Sequence, residues 1–338
     1  MNPIDSDSML LKSLADPLPW HVTSHSRQGK MSASFPTTSS LLKRSKKEFG
    51  QATFFTATDG NHGRGVAWAA NKLGQKAVVL MPKGSTQTRL NNIRKEGATA
   101  TIEECNYDEC VRMAADMAAR TEHGIIVQDT AWDGYEEIPA WIMQGYGTMA
   151  MEADDQLHED GCEAPTHVFI QAGVGSLAGA VQGYFANRYP KTPPKVVVVE
   201  AEAAACLYKG AAAGDGAIRI VDGDMPTIMA GLACGEPNTI SWDILKNHVD
   251  TFVAAPDWVA AKGMRMLAAP IKGDTPVTSG ESGAAPFGTL ACIMCMDEYQ
   301  ELREHLGLDE TSRVLLFSTE GDTDPTRYES IVWDGNER

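Results

Sequence analysis

The feature that most constrains the fold is an alternation, from residue 53 onward, of short β-rich runs with helix-forming stretches. Thr53–Thr56 passes through a glycine-bounded turn into the helical pattern Gly65–Leu73. Ala77–Met81 is stopped by Pro82, Lys83 and Gly84, and Ser85 is placed to cap a helix carrying Leu90 and Ile93. Thr99–Ile102, a helix through Val111 and Met117, and Ile125–Gln128 complete a βαβαβαβ series. A longer helix follows Pro139. A second series opens with His167–Gln171, the loop Ala172–Ser176, a small-residue helix through Val181, and Val196–Glu200. Thr251–Ala254, a helix Trp258–Leu267, the loop Ser279–Gly283, a long helix from Ala284 and the run Arg313–Phe317 close the pattern. Parallel strands must be joined by crossovers, so this alternation implies parallel sheets in an α/β fold. Two α/β units are expected, over residues 51–150 and 151–338.

Residues 1–50 differ in kind. They hold 13 Ser or Thr and carry a net charge of +3, against −19 for the remainder. No apolar core of a secretory signal is present, and Asp5, Asp7 and Asp16 oppose a transit peptide, so a divergent or frayed N-terminal segment is the reading. The overall charge of −16 repels phosphate backbones and anionic lipid surfaces, which argues against nucleic-acid and membrane partners. No apolar run approaches the roughly 20 residues that span a bilayer. Seven scattered cysteines, an odd number, suit a reducing, cytoplasmic setting. The one close pair, Cys292 and Cys295, lies in an apolar helical run and reads as packing; no metal site is expected.

Two loops concentrate chemistry. Gly173-Val-Gly-Ser-Leu-Ala-Gly179 joins a strand to a helix, where backbone N–H groups and the helix dipole converge on an anion with no Cβ in the way. The glycine spacing also fits a loosened dinucleotide fingerprint, with Glu200 at the next strand end to meet a ribose, so an NAD-dependent oxidoreductase stays open at this point. A tight βα turn is the structural alternative. Thr58-Asp-Gly-Asn-His-Gly63 packs three hydrogen-bonding side chains between a strand and a helix, and a helix cap explains one of them but not all three.

Together these loops resemble the fold-type II pyridoxal-phosphate enzymes: Asp59-Gly-Asn-His-Gly63 is similar to their S-x-G-N-H-G loop, and Gly173–Gly179 to their phosphate loop. Six segments resemble the diaminopropionate ammonia-lyase branch of that family: 58–70, 128–135, 139–146, 229–237, 279–283 and 318–323. The likeness spans residues 51 to 338, as a small α/β domain (51–150) and a large cofactor-binding one (151–338). It implies pyridoxal 5′-phosphate as cofactor and electron sink, and an α,β-elimination turning 2,3-diaminopropionate into pyruvate and ammonia. It further implies a small amino acid as the partner molecule and a homodimer. Asp59 and Asp129 match the carboxylates that take the Cα proton from opposite faces, and a partly desolvated, ionised carboxylate suits that work. Asn61 matches the residue bonded to the cofactor's phenolic oxygen. The amides of Gly173, Val174, Gly175, Ser176 and Leu177 match the phosphate contacts, and Ser318 or Thr319 would face the pyridine nitrogen. Ser279–Gly283 would edge the ring. Trp132 and Tyr135 stay open between ring contact and core, while Trp141 and Met229 read as core.

The sequence departs from the family at one place. The resemblance implies a cofactor-bearing lysine in an aromatic-Lys-x-Leu-Gly segment roughly 40 to 50 residues before the Asp59 loop. Lys12, in Leu11-Lys-Ser-Leu14, keeps Lys-x-Leu but lacks the glycine, and Pro17 and Pro19 follow closely; Lys30 is the second choice. The strands that normally precede that lysine are absent too, so the N-terminal part of the fold is expected to be incomplete. Three readings follow: a lyase using Lys12, a catalytically impaired relative that still binds the cofactor, or a truncated gene product without function.

Overall fold

The computed structural model describes residues 50–58 and 60–337. Lys12, Lys30 and Asp59, and residues 1–49 of the N-terminal segment, lie outside the described residues. Among the described residues, eight parallel strands form two four-stranded sheets. The first contains β1 (Thr53–Ala57), β2 (Lys76–Met81), β3 (Thr99–Ile102) and β4 (Gly124–Ile126), in the order β3-β2-β1-β4. Its crossovers are α1 (Asn61–Lys72), α2 (Gln87–Lys95) and α3 (Tyr107–Arg120), and α4 (Glu137–Glu159) leads to the second sheet. That sheet contains β5 (His167–Gln171), β6 (Lys195–Ala201), β7 (Thr251–Ala255) and β8 (Val314–Leu316), in the order β7-β6-β5-β8. Around it stand α5 (Ser176–Arg188), α6 (Cys206–Ala213), α7 (Thr239–His248), α8 (Asp257–Ala268), α9 (Glu281–Cys295), α10 (Gln300–Leu306) and α11 (Pro325–Val332).

The apolar strand runs exist because both faces of each sheet are covered. Along β5 and β6, Phe169, Val197 and Val199 enter one core layer, while Val168, Ile170, Val196 and Val198 enter the other. Sheet one divides the same way, with Phe54, Val79 and Met81 on one face and Phe55, Ala57 and Leu80 on the opposite one. The side-chain period of two thus splits one hydrophobic run between two layers.

Every run read as a strand contains one, although Val127, Gln128, Arg313 and Phe317 fall outside β4 and β8, and N-cap side chains start four of the described helices, α2, α3, α7 and α11. Asn106 caps α3 in a reciprocal box with Glu109, and Cys105 before the cap lies 3.3 Å, sulfur to sulfur, from Cys110 in the next turn. These two thiols occupy the positions of a hydrophobic staple. Three expectations need correction. Thr86, not Ser85, caps α2, accepting the Arg89 N–H at 3.3 Å. The helix read from Ala284 begins at Glu281, so Ser282 and Gly283 are its first turn and not a loop. Cys292 is buried as a packing group, but Cys295, the last residue of α9, is exposed. Helices α6, α7, α10 and α11 were not foreseen. The expected boundary between residues 150 and 151 falls inside α4. No described helix is long and apolar enough to cross a membrane.

Strand order has a chemical consequence. In sheet one the chain runs outward from β1 to β2 and β3, then returns to place β4 on the other side of β1. In sheet two it runs from β5 to β6 and β7, then returns to place β8 beside β5. Adjacent strands whose crossovers leave in opposite directions open a crevice at their carboxyl ends, where α/β proteins bind ligands. The two crevices lie beyond β1/β4 and beyond β5/β8.

Candidate active site

Both crevices are lined by the loops singled out from sequence. Thr58–Gly63 follows β1 and Asp129 follows β4; Gly173–Leu177 follows β5, and Ser318 and Thr319 follow β8. The first crevice is organised by Gln128, whose side chain is wholly buried. Its Oε1 accepts from Thr56 Oγ1 and Ala57 N, both at 2.9 Å, and its Nε2 donates to Tyr107 Oη at 2.7 Å and Asp129 Oδ1 at 3.1 Å. Tyr107 Oη in turn donates to Asp129 Oδ1 at 3.4 Å. Burial, and after it the Asp129 charge, holds the Tyr107 hydroxyl well above its ordinary pKa, so it remains a donor to the carboxylate. Burial pushes up the hydroxyls of Tyr135 and Tyr146 as well. Trp132 and Tyr135 stack at 4.3 Å, half-buried, and the Tyr135 hydroxyl accepts the Gln128 N–H at 2.9 Å, which assigns both rings to holding the Asp129 turn. Met229 is buried in a core layer, as expected, whereas Trp141 is half-buried and joins none of the core layers.

The second crevice is an anion cradle. Gly175 opens α5 with φ +97°, in the left-handed region, and no side chain caps the helix. Among the described residues, no acceptor is recorded for the amides of Gly173, Val174, Gly175, Ser176 and Leu177. Unpaired N–H groups around a helix N-terminus suit a phosphate. On the β8 side, Thr319 Oγ1 accepts from Gln171 Nε2 at 2.8 Å, and Ser318 Oγ donates to Ser279 Oγ at 2.8 Å. Glu320 Oε1 accepts the Ser282 N–H at 2.7 Å and the Gly283 N–H at 3.4 Å, so the start of α9 is tied to the strand end that carries the two hydroxyls.

Contacts between the crevices join them into one site. Ser176 Oγ donates to the Asp129 carbonyl at 2.6 Å, and Asn238 Nδ2 donates to that carbonyl and to Ser176 Oγ, each at 2.8 Å. Behind them, Asp108 on α3 accepts the Gly235 N–H at 3.1 Å, and buried Arg89 on α2 lies 3.6 Å from Glu281 on α9. Asn61 heads α1 with its side chain exposed, and no described hydrogen bond ties it to the cradle. Gln128, Tyr107 and Asn238 were missed as site residues; only the stretches quoted for the resemblance touched them, 128–135 directly and 229–237 one residue short of Asn238.

Side-chain atoms left buried without a partner also mark the place. Among the described residues these include His62 Nδ1, Thr130 Oγ1, Gln171 Oε1 and Ser282 Oγ, each within three residues of a candidate position. Such orphans signal a missing partner. Together with the open cradle, the donor set fits a pyridoxal-phosphate group. Glu200, weighed as a ribose partner, is otherwise engaged. It is buried, its two oxygens accept the Leu207 and Tyr208 N–H groups at 2.8 and 2.7 Å, and burial pushes its pKa up to about 8. It caps α6, which removes the acidic partner that a dinucleotide reading needs. Among the described residues, no group of His, Cys, Asp and Glu is placed to hold a metal ion.

Comparison with known proteins agrees with this geometry. The family described as "Pyridoxal-phosphate dependent enzyme" matches residues 33–317. The chain is 56% identical over 291 residues to the diaminopropionate ammonia-lyase of Salmonella typhimurium, covering 86% of this chain and 72% of that protein. Among solved structures, the Escherichia coli diaminopropionate ammonia-lyase in complex with an aminoacrylate-PLP azomethine reaction intermediate is similar, with TM-score 0.79 and 48% identity over 85% of this chain and 72% of that one. An L-serine ammonia-lyase from Rhizomucor miehei shares the fold, with TM-score 0.67 and 19% identity over 89% and 87% of the two chains.

Proposed function

The chain belongs to the pyridoxal-phosphate dependent enzymes, with pyridoxal 5′-phosphate as its cofactor, and we propose that it is a carbon–nitrogen lyase converting 2,3-diaminopropionate to pyruvate and ammonia. The observation that carries this reading is the joining of two switch-point crevices, one bearing Asp129 and the other the cradle Gly173–Leu177, through Ser176 and Asn238.

When bound, the cofactor withdraws the electron pair left at Cα by proton removal. The amides of Gly173, Val174, Gly175, Ser176 and Leu177 hold its phosphate, aided by the positive end of α5. Asn61 donates to the phenolic oxygen. Ser318 or Thr319 meets the pyridine nitrogen with a hydroxyl, which leaves that nitrogen without a full positive charge and favours rapid loss of the β-amino group over other fates of the substrate. Asp129 takes the Cα proton from one face and Asp59 from the other, so each substrate stereoisomer has its own base. The hydroxyl of Tyr107 and the amide of Gln128 both donate to Asp129 Oδ1 and so hold the carboxylate in place for that transfer.

The chain divides functionally into a small domain, 51–150, and a large cofactor-binding domain, 151–338, and works as a cytoplasmic homodimer without nucleic-acid or membrane partners. Its charge of −16 supports the last point, and gel filtration tests the oligomer. The test of activity is pyruvate release, coupled to lactate dehydrogenase, from D- and L-2,3-diaminopropionate after incubation with pyridoxal 5′-phosphate. Failure to retain the cofactor and to release pyruvate overturns the reading. Cofactor retention with no pyruvate, unchanged by Lys12→Ala, would instead mark a relative that binds the cofactor without turnover.

A further inference from the structure

Asn238 is completely buried and stands at the N-cap of α7. Its Oδ1 accepts the Ile240 and Ser241 N–H groups at 2.9 and 3.1 Å, which caps the helix and fixes which side-chain atom is nitrogen. A cap needs only that oxygen, and Ser, Thr or Asp would serve equally well. The remaining atom, Nδ2, explains why the residue is asparagine. It donates to the Asp129 carbonyl and to Ser176 Oγ, while Ser176 Oγ donates to the same Asp129 carbonyl. The Asn238 backbone N–H donates to the Val174 carbonyl at 2.8 Å, and the Thr239 N–H to the Ala131 carbonyl at 3.2 Å. One buried residue therefore clamps the Asp129 turn to the phosphate cradle.

Resting on the lyase reading, we infer that Asn238, acting with Ser176 Oγ, is a positioning residue that sets the distance from the phosphate anchor to the base Asp129, and so governs turnover of one stereoisomer of the substrate. The clamp joins the turn after β4 to the loop after β5, whereas in sequence Asp59 comes after β1. Misplacing a reacting group by about 1 Å can cost on the order of 100-fold in rate. The clamp should therefore act on the stereoisomer served by Asp129 and spare the other.

Asn238→Asp tests this directly. It keeps the Oδ1 cap and the side-chain volume, but turns a donor to two acceptors into an acceptor. With the cofactor saturating, kcat for one stereoisomer is expected to fall ~10- to 100-fold, with the other unchanged within about threefold. Ser176→Ala, which keeps the amide in the cradle, should show the same selectivity with a smaller loss. In the cofactor-free protein, hydrogen exchange at the amides of residues 129–131 should quicken in both variants, with the unfolding midpoint lowered in Asn238→Asp, which buries a carboxylate, and near that of the parent in Ser176→Ala. Equal loss for both stereoisomers in both variants, or no loss in either, overturns the inference. Asp129→Asn separates this failure from that of the underlying reading: if it fails to discriminate between the stereoisomers, the two-base assignment is wrong, whereas if it discriminates and the Asn238 and Ser176 variants do not, the positioning role alone is wrong.

Discussion

Three glycines spaced four apart along α5 should respond to the same substitution with opposite signs. Gly175 has φ +97°, and a Cβ there would meet Ser241 Oγ at 2.9 Å, Leu245 Cδ1 at 3.2 Å and Leu207 Cδ1 at 3.3 Å. The left-handed backbone costs alanine ~1–2 kcal/mol, and forcing a methyl into a filled space adds ~1–3. Gly175→Ala should therefore lose ~2–5 kcal/mol. Gly179 is helical, but its Cβ would lie 2.7 Å from Ser241 Cβ and 3.1 Å from Ser241 Cα, atoms that move only with α7. Crowding of up to ~3 kcal/mol, less a helix-propensity gain near 1, leaves a loss of about 2. At Gly183 nothing lies within 4 Å, so alanine should gain ~0.5–1 kcal/mol. Urea unfolding of the cofactor-free protein, compared at midpoints with unchanged slope, reads all three. Affinity for pyridoxal 5′-phosphate should weaken in the Gly175 variant and hold in the Gly183 variant, since only the former distorts the cradle. A Gly175→Ala protein as stable as Gly183→Ala would refute both the left-handed turn and the packing of α5 on α7.

Three further outcomes follow from the contacts behind the site. Burial, and next the neighbouring Glu236, raises the Asp108 pKa to about 6, so its folded form holds a proton more tightly than the unfolded chain. Its contribution to stability is complete below about pH 4 and is lost as pH rises through about 6, a swing of up to ~3 kcal/mol. Asp108→Asn keeps an acceptor for Gly235 N–H and should raise the urea midpoint at pH 8 but not near pH 4; an equal gain at both would contradict the assignment. Arg89→Met leaves the buried Glu281 paired with the half-exposed Arg327, 3.4 Å away, and should cost ~3 kcal/mol in urea unfolding, largely relieved by adding Glu281→Gln. Tyr107→Phe removes a buried hydroxyl that accepts from Gln128 and donates to Asp129; a loss of ~1–2 kcal/mol is expected, and an unchanged midpoint would show that the network bears no strain.

Strands were legible because burial on both faces writes itself as an apolar run, and each such run contains a strand, the two edge strands β4 and β8 being shorter than the runs that announced them. Helices were legible with or without a local cap: α1, α5, α8 and α9 carry no side-chain cap and were read from their residue patterns, whereas α7 is capped by Asn238 and was not. α3 announces itself through Asn106 and Glu109, but α6 is short, opens on cysteine, and takes its cap from Glu200 at the end of the preceding strand. α11 carried a readable signal, Asp324 before Pro325, and was overlooked. Cys295 escaped the packing that its three-residue spacing from Cys292 suggested, because it closes α9 where the covering layer ends.

The site shows the same division between near and far. Its loops are readable one at a time, since glycine and hydrogen-bonding side chains cluster at strand ends. Which loops meet depends on strand order, and nothing local says that β4 returns beside β1 or β8 beside β5. Asn238 is the sharpest case: read locally it is a helix cap, while its other partners, Ser176 and Asp129, stand 62 and 109 residues away in sequence. A residue of this kind is chosen by two demands at once, and only the nearer one leaves a pattern in the chain. The further demand becomes visible when the cap is satisfied and one polar atom is still pointed at something else.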